Sequence, residues 1–261
     1  MEPAKARTAG FEKRAATYDR DAWHVRYAER LVEVAGLEPG MRVLDAATGT
    51  GHAAFAAARV VGDAGRIVGV DLSPAMLTRA RAAGVPNVEF VESDTSSLPA
   101  LADGSFDRVL CSAGLLYLPV DTALREWHRL LAPAGVVAFS TMRRGHPFAA
   151  RLFRDLGRTY GLALPDPAER LGTVERCADA LSEAGFEPLE PVVETVRFDA
   201  YDLTRAWDVH VDGPHRDAMA SLTDAQRTTF QRDYGNALAD HLAGNEAEVL
   251  DAGVIYARGT R

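Results

Sequence analysis

The stretch from Arg42 to Leu72, RVLDAATGTGHAAFAAARVVGDAGRIVGVDL, narrows the fold of this chain more than any other. A short apolar run, Met41 to Leu44, ends on Asp45 and turns through Ala46, Ala47, Thr48, Gly49, Thr50 and Gly51 into an alanine-rich helical segment. A Gly62-Asp63-Ala64-Gly65 turn then opens a second apolar run, Arg66 to Val70, which ends on another acid, Asp71. Strand, glycine turn, helix and strand form a βαβ unit. Its parallel strands carry both terminal carboxylates to one edge of the sheet, where ligands of open α/β sheets bind.

The glycines alone leave the ligand open, because Gly49-Thr50-Gly51-His52-Ala53-Ala54 satisfies a dinucleotide fingerprint with an acid about twenty residues on. Asp45 weighs against that ligand. A carboxylate at the mouth of the turn repels a pyrophosphate, which is held by bare backbone N–H groups and a helix N-terminus, and no Lys or Arg in the loop offsets it. An adenosine ligand bearing a sulfonium and an ammonium group gains from the same charge, and Asp71 is suited to both ribose hydroxyls. That ligand is S-adenosylmethionine.

VLDAATGTG (Val43 to Gly51) resembles the first motif of the class I, Rossmann-like S-adenosylmethionine-dependent methyltransferases, with Ala47 where the commonest form has glycine. GVDLSPAML (Gly69 to Leu77) resembles the second. The likeness continues through VESDTSSLPALADGSFDRVLCSAGLLYL and REWHRLLAPAGVVAFST, so it spans roughly residues 15 to 142, and the branch is that of ubiquinone/menaquinone C-methyltransferases and many small-molecule methyltransferases. The resemblance implies an α/β fold: a Rossmann-like seven-stranded, mostly parallel sheet with the last strand antiparallel, helices on both faces and helical lid insertions. It also implies the cofactor residues. Asp45, Ala46, Ala47, Gly49 and Gly51 form the first turn, Asp71 holds the ribose, and Leu72 and Met76 line an adenine slot. Asp94, with Thr95, meets the adenine amino group, whereas Ser112, Ala113 and Tyr18 meet the methionine end. Each has a plainer alternative: Tyr18 as a packing residue of an amphipathic helix, Met76 as core filler, Asp94 as a solvated turn acid.

The remaining elements follow from periodicity and punctuation. Arg14 to Gly36 has helical spacing in Val25, Ala28, Leu31, Val32 and Ala35. Ser73-Pro74 reads as N-cap and first helical residue of a helix to about Ala83. Strands are expected at Val88 to Val91, Phe106 to Leu110, Val136 to Thr141, Glu187 to Phe198 and Val249 to Arg258. Helices are expected at Asp121 to Leu131 and Thr173 to Ala184, with Pro133-Ala134-Gly135 separating the first from its strand and Gly185 stopping the second. A single methyltransferase domain therefore divides into an N-terminal helical lid (1–36), a cofactor-binding core (37–142), substrate-cap insertions (143–172 and 200–247, the latter in three helical pieces) and the C-terminal part of the sheet (173–199 and 248–261).

Composition sets the surroundings. A net charge of -8 disfavours a nucleic-acid partner. Two cysteines, Cys111 and Cys177, give no disulfide framework and read as small core hydrophobes. No apolar signal region follows Met1, and no run is long enough to insert in a membrane, so a cytoplasmic protein with a small-molecule substrate is expected, as a monomer or a homodimer. No metal-ligand cluster is readable, and no G-x-S-x-G elbow occurs.

Methyl transfer from a sulfonium is an in-line displacement that needs no covalent nucleophile, only collinear placement in a water-poor pocket. A base for an acidic acceptor adds about 10²- to 10⁴-fold. Of seven histidines, His146 directly follows the fifth strand and so reaches the ligand edge, making it the first candidate. His24 on the lid and His210, with His215, in the last insertion follow. His52 is read as packing beside the cofactor, and His128 as structural. Three other readings share these residues: a cyclase or decarboxylase that uses the sulfonium only electrostatically, a non-catalytic ligand-binding protein, and a nicotinamide dehydrogenase. Asp45 and the absence of lysine after residue 13 disfavour the last.

Overall fold

In the computed structural model, residues 10–12, 14–20, 22–213 and 215–261 are described. Seven strands form one sheet: β1 (Arg42–Ala46), β2 (Arg66–Asp71), β3 (Val88–Glu92), β4 (Phe106–Cys111), β5 (Leu131–Met142), β6 (Glu187–Arg197) and β7 (Asp251–Thr260). Their spatial order is β3-β2-β1-β4-β5-β7-β6. The pairs from β3 to β5 are parallel, and β7 runs antiparallel to both β5 and β6. The expected seven-stranded sheet with its last strand reversed is present. Strand order reverses between β1 and β4, the switch point at which open α/β sheets leave a crevice.

The central strands read as unbroken apolar runs because helices cover both faces. Successive residues go to opposite cores. Leu44, Val70, Val109, Val137, Phe139 and Ile255 join one cluster with Trp127, Cys177 and Leu181. Val43, Ile67, Leu110, Ala138, Val254 and Tyr256 join the other with Leu31 and Val61. Helices α1 (Ala22–Ala35) and α2 (His52–Val61) cover the second face. Ala53, Ala54, Ala56, Ala57 and Ala58 are all buried, and their short side chains let α2 lie close to the sheet. After α3 (Pro74–Ala82), α4 (Val120–Leu130) covers the first face with Val120, Ala123, Leu124, Trp127 and Leu130, a stripe at helical spacing. Both cysteines are free and buried, as read from the sequence.

Beyond β5 come α5 (Phe148–Thr159) and α6 (Val174–Glu183), then α7 (Ala200–Thr204), α8 (Ala206–Val211), α9 (Arg216–Met219), α10 (Asp224–Gly244) and α11 (Glu246–Leu250). Helix α5 and the segment from α8 to α11 share a third core of Phe148, Phe153, Leu162, Met219, Phe230, Tyr234 and Leu238, which forms a roof over the strand ends. Three boundaries differ from expectation. Strand β5 begins at Leu131, not Val136, and passes Ala134 at φ 62° with a register shift against β4. The final strand begins at Asp251, not Val249, because the Asn245 side chain accepts a hydrogen bond from Glu248 N and caps α11 first. Within 200–247 the described residues form four helices and the start of a fifth rather than three, since the Asp199 and Thr223 capping boxes and short turns divide the segment. Among the described residues no helix is long and apolar enough to cross a membrane.

Candidate active site

The chemistry-bearing residues gather around one cavity of about 270 Å³ at the carboxyl ends of the parallel strands. Its floor is the turn after β1. Ala47, Gly49 and Gly51 all take positive φ, at 57°, 56° and 93°. Glycine is favoured at Gly51 for lack of room and at Gly49 by the left-handed backbone alone. A Cβ on Gly51 would lie 2.7 Å from the Phe55 ring, whereas a Cβ on Gly49 would meet nothing within 4 Å, because that residue faces the open cavity. Ala47 adopts the same left-handed conformation with a Cβ, which explains why glycine is the commoner residue there.

Three of the turn's amides are committed within the protein. Thr48 N–H donates to Val70 O (2.9 Å), Gly49 N–H to Asp71 Oδ2 (2.8 Å) and Gly51 N–H to Thr48 O (2.9 Å). A pyrophosphate would need those donors. What the turn presents instead is negative charge. Asp71 accepts Ser73 N–H at 2.9 Å on its other oxygen, which leaves lone pairs on both oxygens for a diol, and it lines the cavity. Burial raises its pKa, against the pull of the Ser73 and Gly49 amides.

Asp45 sits differently from the sequence reading. It lies inside β1, buried beneath the turn, does not line the cavity, and accepts the Thr48 hydroxyl at 2.5 Å. Its Oδ1 is buried without a partner in the structure, and burial pushes its pKa up to about 7. A buried carboxylate with one oxygen uncompensated is stabilised by a cation placed above it. The floor therefore fits a sulfonium-bearing adenosine and is unsuited to a dinucleotide.

Tyr18, Leu72, Met76, Thr95, Ser112 and Ala113 also line the cavity, together with the four histidines His24, His146, His210 and His215. Ala46, Gly51 and Asp94 do not. Asp94 Oδ1 is taken by Ser96 N–H (2.9 Å) and Ser96 Oγ (2.6 Å), which shapes the loop that carries Thr95. Trp127, buried in the core, holds the same loop by donating its indole N–H to Thr95 O at 2.9 Å. Ala113 has φ 52° and donates its N–H to Ser140 Oγ at 2.9 Å.

The four histidines are not equivalent, and His215 stacks on Phe153 with ring centres 5.7 Å apart. His24 is sandwiched, its ring 4.0 Å from Tyr18 and 3.5 Å from Trp23, and burial drives its pKa well down. His210 is buried beside Phe153, 4.7 Å between ring centres, and burial with His215 and Arg154 nearby depresses its pKa to about 3. His146 is only half-buried. Burial and the cations Arg143 and Arg151 lower its pKa, while the Asp251 backbone pulls it back up. His128 packs edge-on against Phe186 away from the cavity, consistent with a structural residue.

Several contributors were not singled out from the sequence. Asp19 ties the N-terminal segment to the floor, accepting Thr50 Oγ1 (2.6 Å) and the Arg79 guanidinium (2.7 and 3.1 Å), with His52 at 3.2 Å. Burial would raise its pKa, but these partners lower it overall. Arg154 and Asp166, joined at 2.8 Å, face the cavity from the roof. Among the described residues no group of three or more His, Cys, Asp or Glu side chains is placed to hold a metal ion.

A family model described as a methyltransferase domain matches residues 43–135. A demethylmenaquinone methyltransferase of Geobacillus kaustophilus is 34% identical over 206 residues, 69% of this chain and 88% of that protein. One from Staphylococcus aureus is 36% identical over 117 residues, 44% of this chain, and there the match spans 48% of that protein, about half its length. The crystal structure of a candidate methyltransferase from Bacillus halodurans C-125 is 22% identical and shares the fold with a TM-score of 0.62, over 89% of this chain and 97% of that one.

Proposed function

Because this chain belongs to the class I S-adenosylmethionine-dependent methyltransferases, we propose that it methylates an O, N or C atom of a small apolar or aromatic metabolite of quinone or secondary-metabolite type. One observation carries the choice of cofactor. The glycine turn commits the Thr48, Gly49 and Gly51 amides internally and sets two carboxylates, Asp45 below and Asp71 beside, at the cavity floor.

S-adenosylmethionine supplies an activated methyl group on a positive sulfur. The chain's own residues hold it and exclude water. Asp71 receives the ribose hydroxyls, Leu72 and Met76 flank the adenine with Thr95 beside it, and Ser112, Ala113 and Tyr18 enclose the methionine end. The roof helices close the cavity with apolar side chains, and a dry pocket strengthens each charge interaction within it. His146 is the proposed base. It lines the cavity, it is neutral at pH 7 because its pKa is lowered, and its ring keeps a partly open face to take a proton from an acidic acceptor. His210, with a pKa of about 3, is too weak a base to share this task, and His24 is closed in by two rings.

Calorimetry with S-adenosylmethionine, S-adenosylhomocysteine, NAD and NADP tests the reading. Binding of the first two alone is expected. Asp71→Ala should weaken it by two charge-assisted hydrogen bonds, each about 1.5 to 3 kcal/mol. Binding of a nicotinamide cofactor alone would overturn the reading. Tight binding of the first two, with no transfer of labelled methyl to any hydroquinone or phenol offered, would favour the electrostatic cyclase or decarboxylase.

A further inference from the structure

A buried charge is stable only when its hydrogen-bonding groups are used or reach an open cavity, and Arg154 uses only part of its guanidinium within the protein. Its side chain is 7% exposed, yet it lines the cavity. It lies one helical turn beyond Ala150 on the face of α5 that also presents Ala149. Among the described residues it makes one hydrogen bond, from Nη2 to Asp166 Oδ2 at 2.8 Å, so Nε and Nη1 have no acceptor. Asp166 is itself shared, because its other oxygen accepts Ala168 N–H at 3.0 Å.

Burial lowers the Arg154 pKa, with Asp166 and Asp155 favouring its charge and Arg158 and Arg151 opposing it. His210 and His215 face Arg154, and its positive charge acts on both to disfavour their protonation. Arg14 lines the same cavity and bears on His210 in the same sense. Asp202, the other acid among the lining residues toward the roof, is engaged with the Asp199 amide at 3.0 Å in a helix cap. The wall around this cation is otherwise apolar, supplied by Leu203, Ala206, Val209 and Val249.

We propose that the roof end of the cavity is a carboxylate subsite in which Arg154 receives the acid group of an apolar or aromatic methyl acceptor. A guanidinium fork matches a planar carboxylate, and because Asp166 takes only one of the two Nη2 hydrogens, the other Nη2–H with its neighbouring N–H still forms one edge of two parallel donors. Asp166 holds the fork in place and keeps the ligand-free pocket from carrying a bare charge. The acceptor's apolar body then lies against the roof side chains, and its anionic end points away from the carboxylates of the floor. The assignment rests on the methyltransferase reading only in naming the ligand a methyl acceptor.

The test compares acids with their primary amides, which have the same shape without the charge: benzoate with benzamide, and naphthalene-2-carboxylate with naphthalene-2-carboxamide. Binding to the full chain is measured by calorimetry and ligand-observed NMR, with saturating S-adenosylhomocysteine and without it. At least one acid is expected to bind about 10- to 100-fold more tightly than its amide, the range for a charge-assisted pair. Arg154→Met should abolish that preference, and Arg154→Lys should keep part of it. If Arg154→Met fails to fold because Asp166 is left unpaired, the double variant Arg154→Met/Asp166→Asn removes both charges. Retained S-adenosylhomocysteine affinity reports an intact floor. Equal binding of acid and amide, a preference that survives in Arg154→Met, or no acid binding at millimolar concentration would each overturn the subsite. Failure of the wild type to bind S-adenosylhomocysteine would count against the methyltransferase reading instead, and the acid-amide comparison made without it would still decide Arg154.

Discussion

Ala47 shows how a single methyl group shapes its surroundings. Its left-handed backbone costs an L-residue about 1 to 2 kcal/mol, and its Cβ limits what can stand opposite. A Cβ built on Gly114 would fall 2.7 Å from it and 3.1 Å from Cys111 Sγ. Ala47→Gly relieves the backbone cost but adds chain entropy of about 0.5 to 1 kcal/mol, so the net change in stability should stay within about 1 kcal/mol. Gly114→Ala should destabilise by about 1 to 3 kcal/mol through overpacking, and by less in the Ala47→Gly background. Chemical denaturation of the four proteins measures the coupling, expected at about 0.5 kcal/mol or more. Strict additivity would mean that the two residues do not contest the same space.

At the scale of elements, specific polar contacts tie the N-terminal segment to the cavity floor and to the roof. The 3-10 turn Ala15–Arg20 carries Asp19, which reaches the glycine turn through Thr50 and α3 through Arg79. Arg205, between α7 and α8, donates to Thr17 Oγ1 at 3.1 Å and links the same turn to the roof. Elements joined by a few half-exposed polar contacts open more readily than those joined by apolar packing. Asp19→Ala should therefore raise amide hydrogen exchange in the segment around Tyr18 and His24 while leaving β1, β2 and β4 as protected as in the wild type. Exchange unchanged around Tyr18, or raised throughout the sheet, would show that Asp19 is not a local latch.

For the whole molecule, buried titratable groups set the response to pH, and they pull in opposite directions. His210 and His215 have folded pKa values of about 3 and about 4, below the 6.5 of an exposed imidazole, chiefly through burial. The unfolded chain takes up protons there first. Their stability is complete above pH 6.5 and is lost as the pH falls toward 4 and 3. Asp45, raised to about 7 from 3.8 by burial, does the reverse: the folded state holds the proton more tightly, so its contribution is complete below 3.8 and declines as the pH rises toward 7. Asp71, also raised by burial, acts in the same sense as Asp45, and the three buried histidines His24, His210 and His215 outweigh the two acids. The melting temperature should fall between pH 6.5 and 4.5, and His210→Gln should flatten that dependence by up to about 1.4 kcal/mol per pH unit, one proton's worth. An identical slope in the variant would show that His210 does not titrate in unfolding.

At that same scale the sequence by itself determined the sheet and the cavity floor. Strand, turn and helix between Arg42 and Leu72 are local: apolar runs, glycines where φ must be positive, and acids at strand ends are properties of neighbours in the chain. The same locality made Asp71, Gly49 and Met76 legible as cavity residues. It did not show that Asp45 would fold under the turn, because that depends on Thr48 turning back to it at 2.5 Å. Arg154 was out of reach for a further reason. On a helix read alone, an arginine belongs to the solvated face, and only tertiary packing brings Asp166, twelve residues on, and His210 and His215, more than fifty on, around it. His210 and His215 meet Phe153 through the same long-range contacts. Tertiary structure alone decided which polar side chains lost water, and a group's charge, basicity and available ligands all follow from that loss.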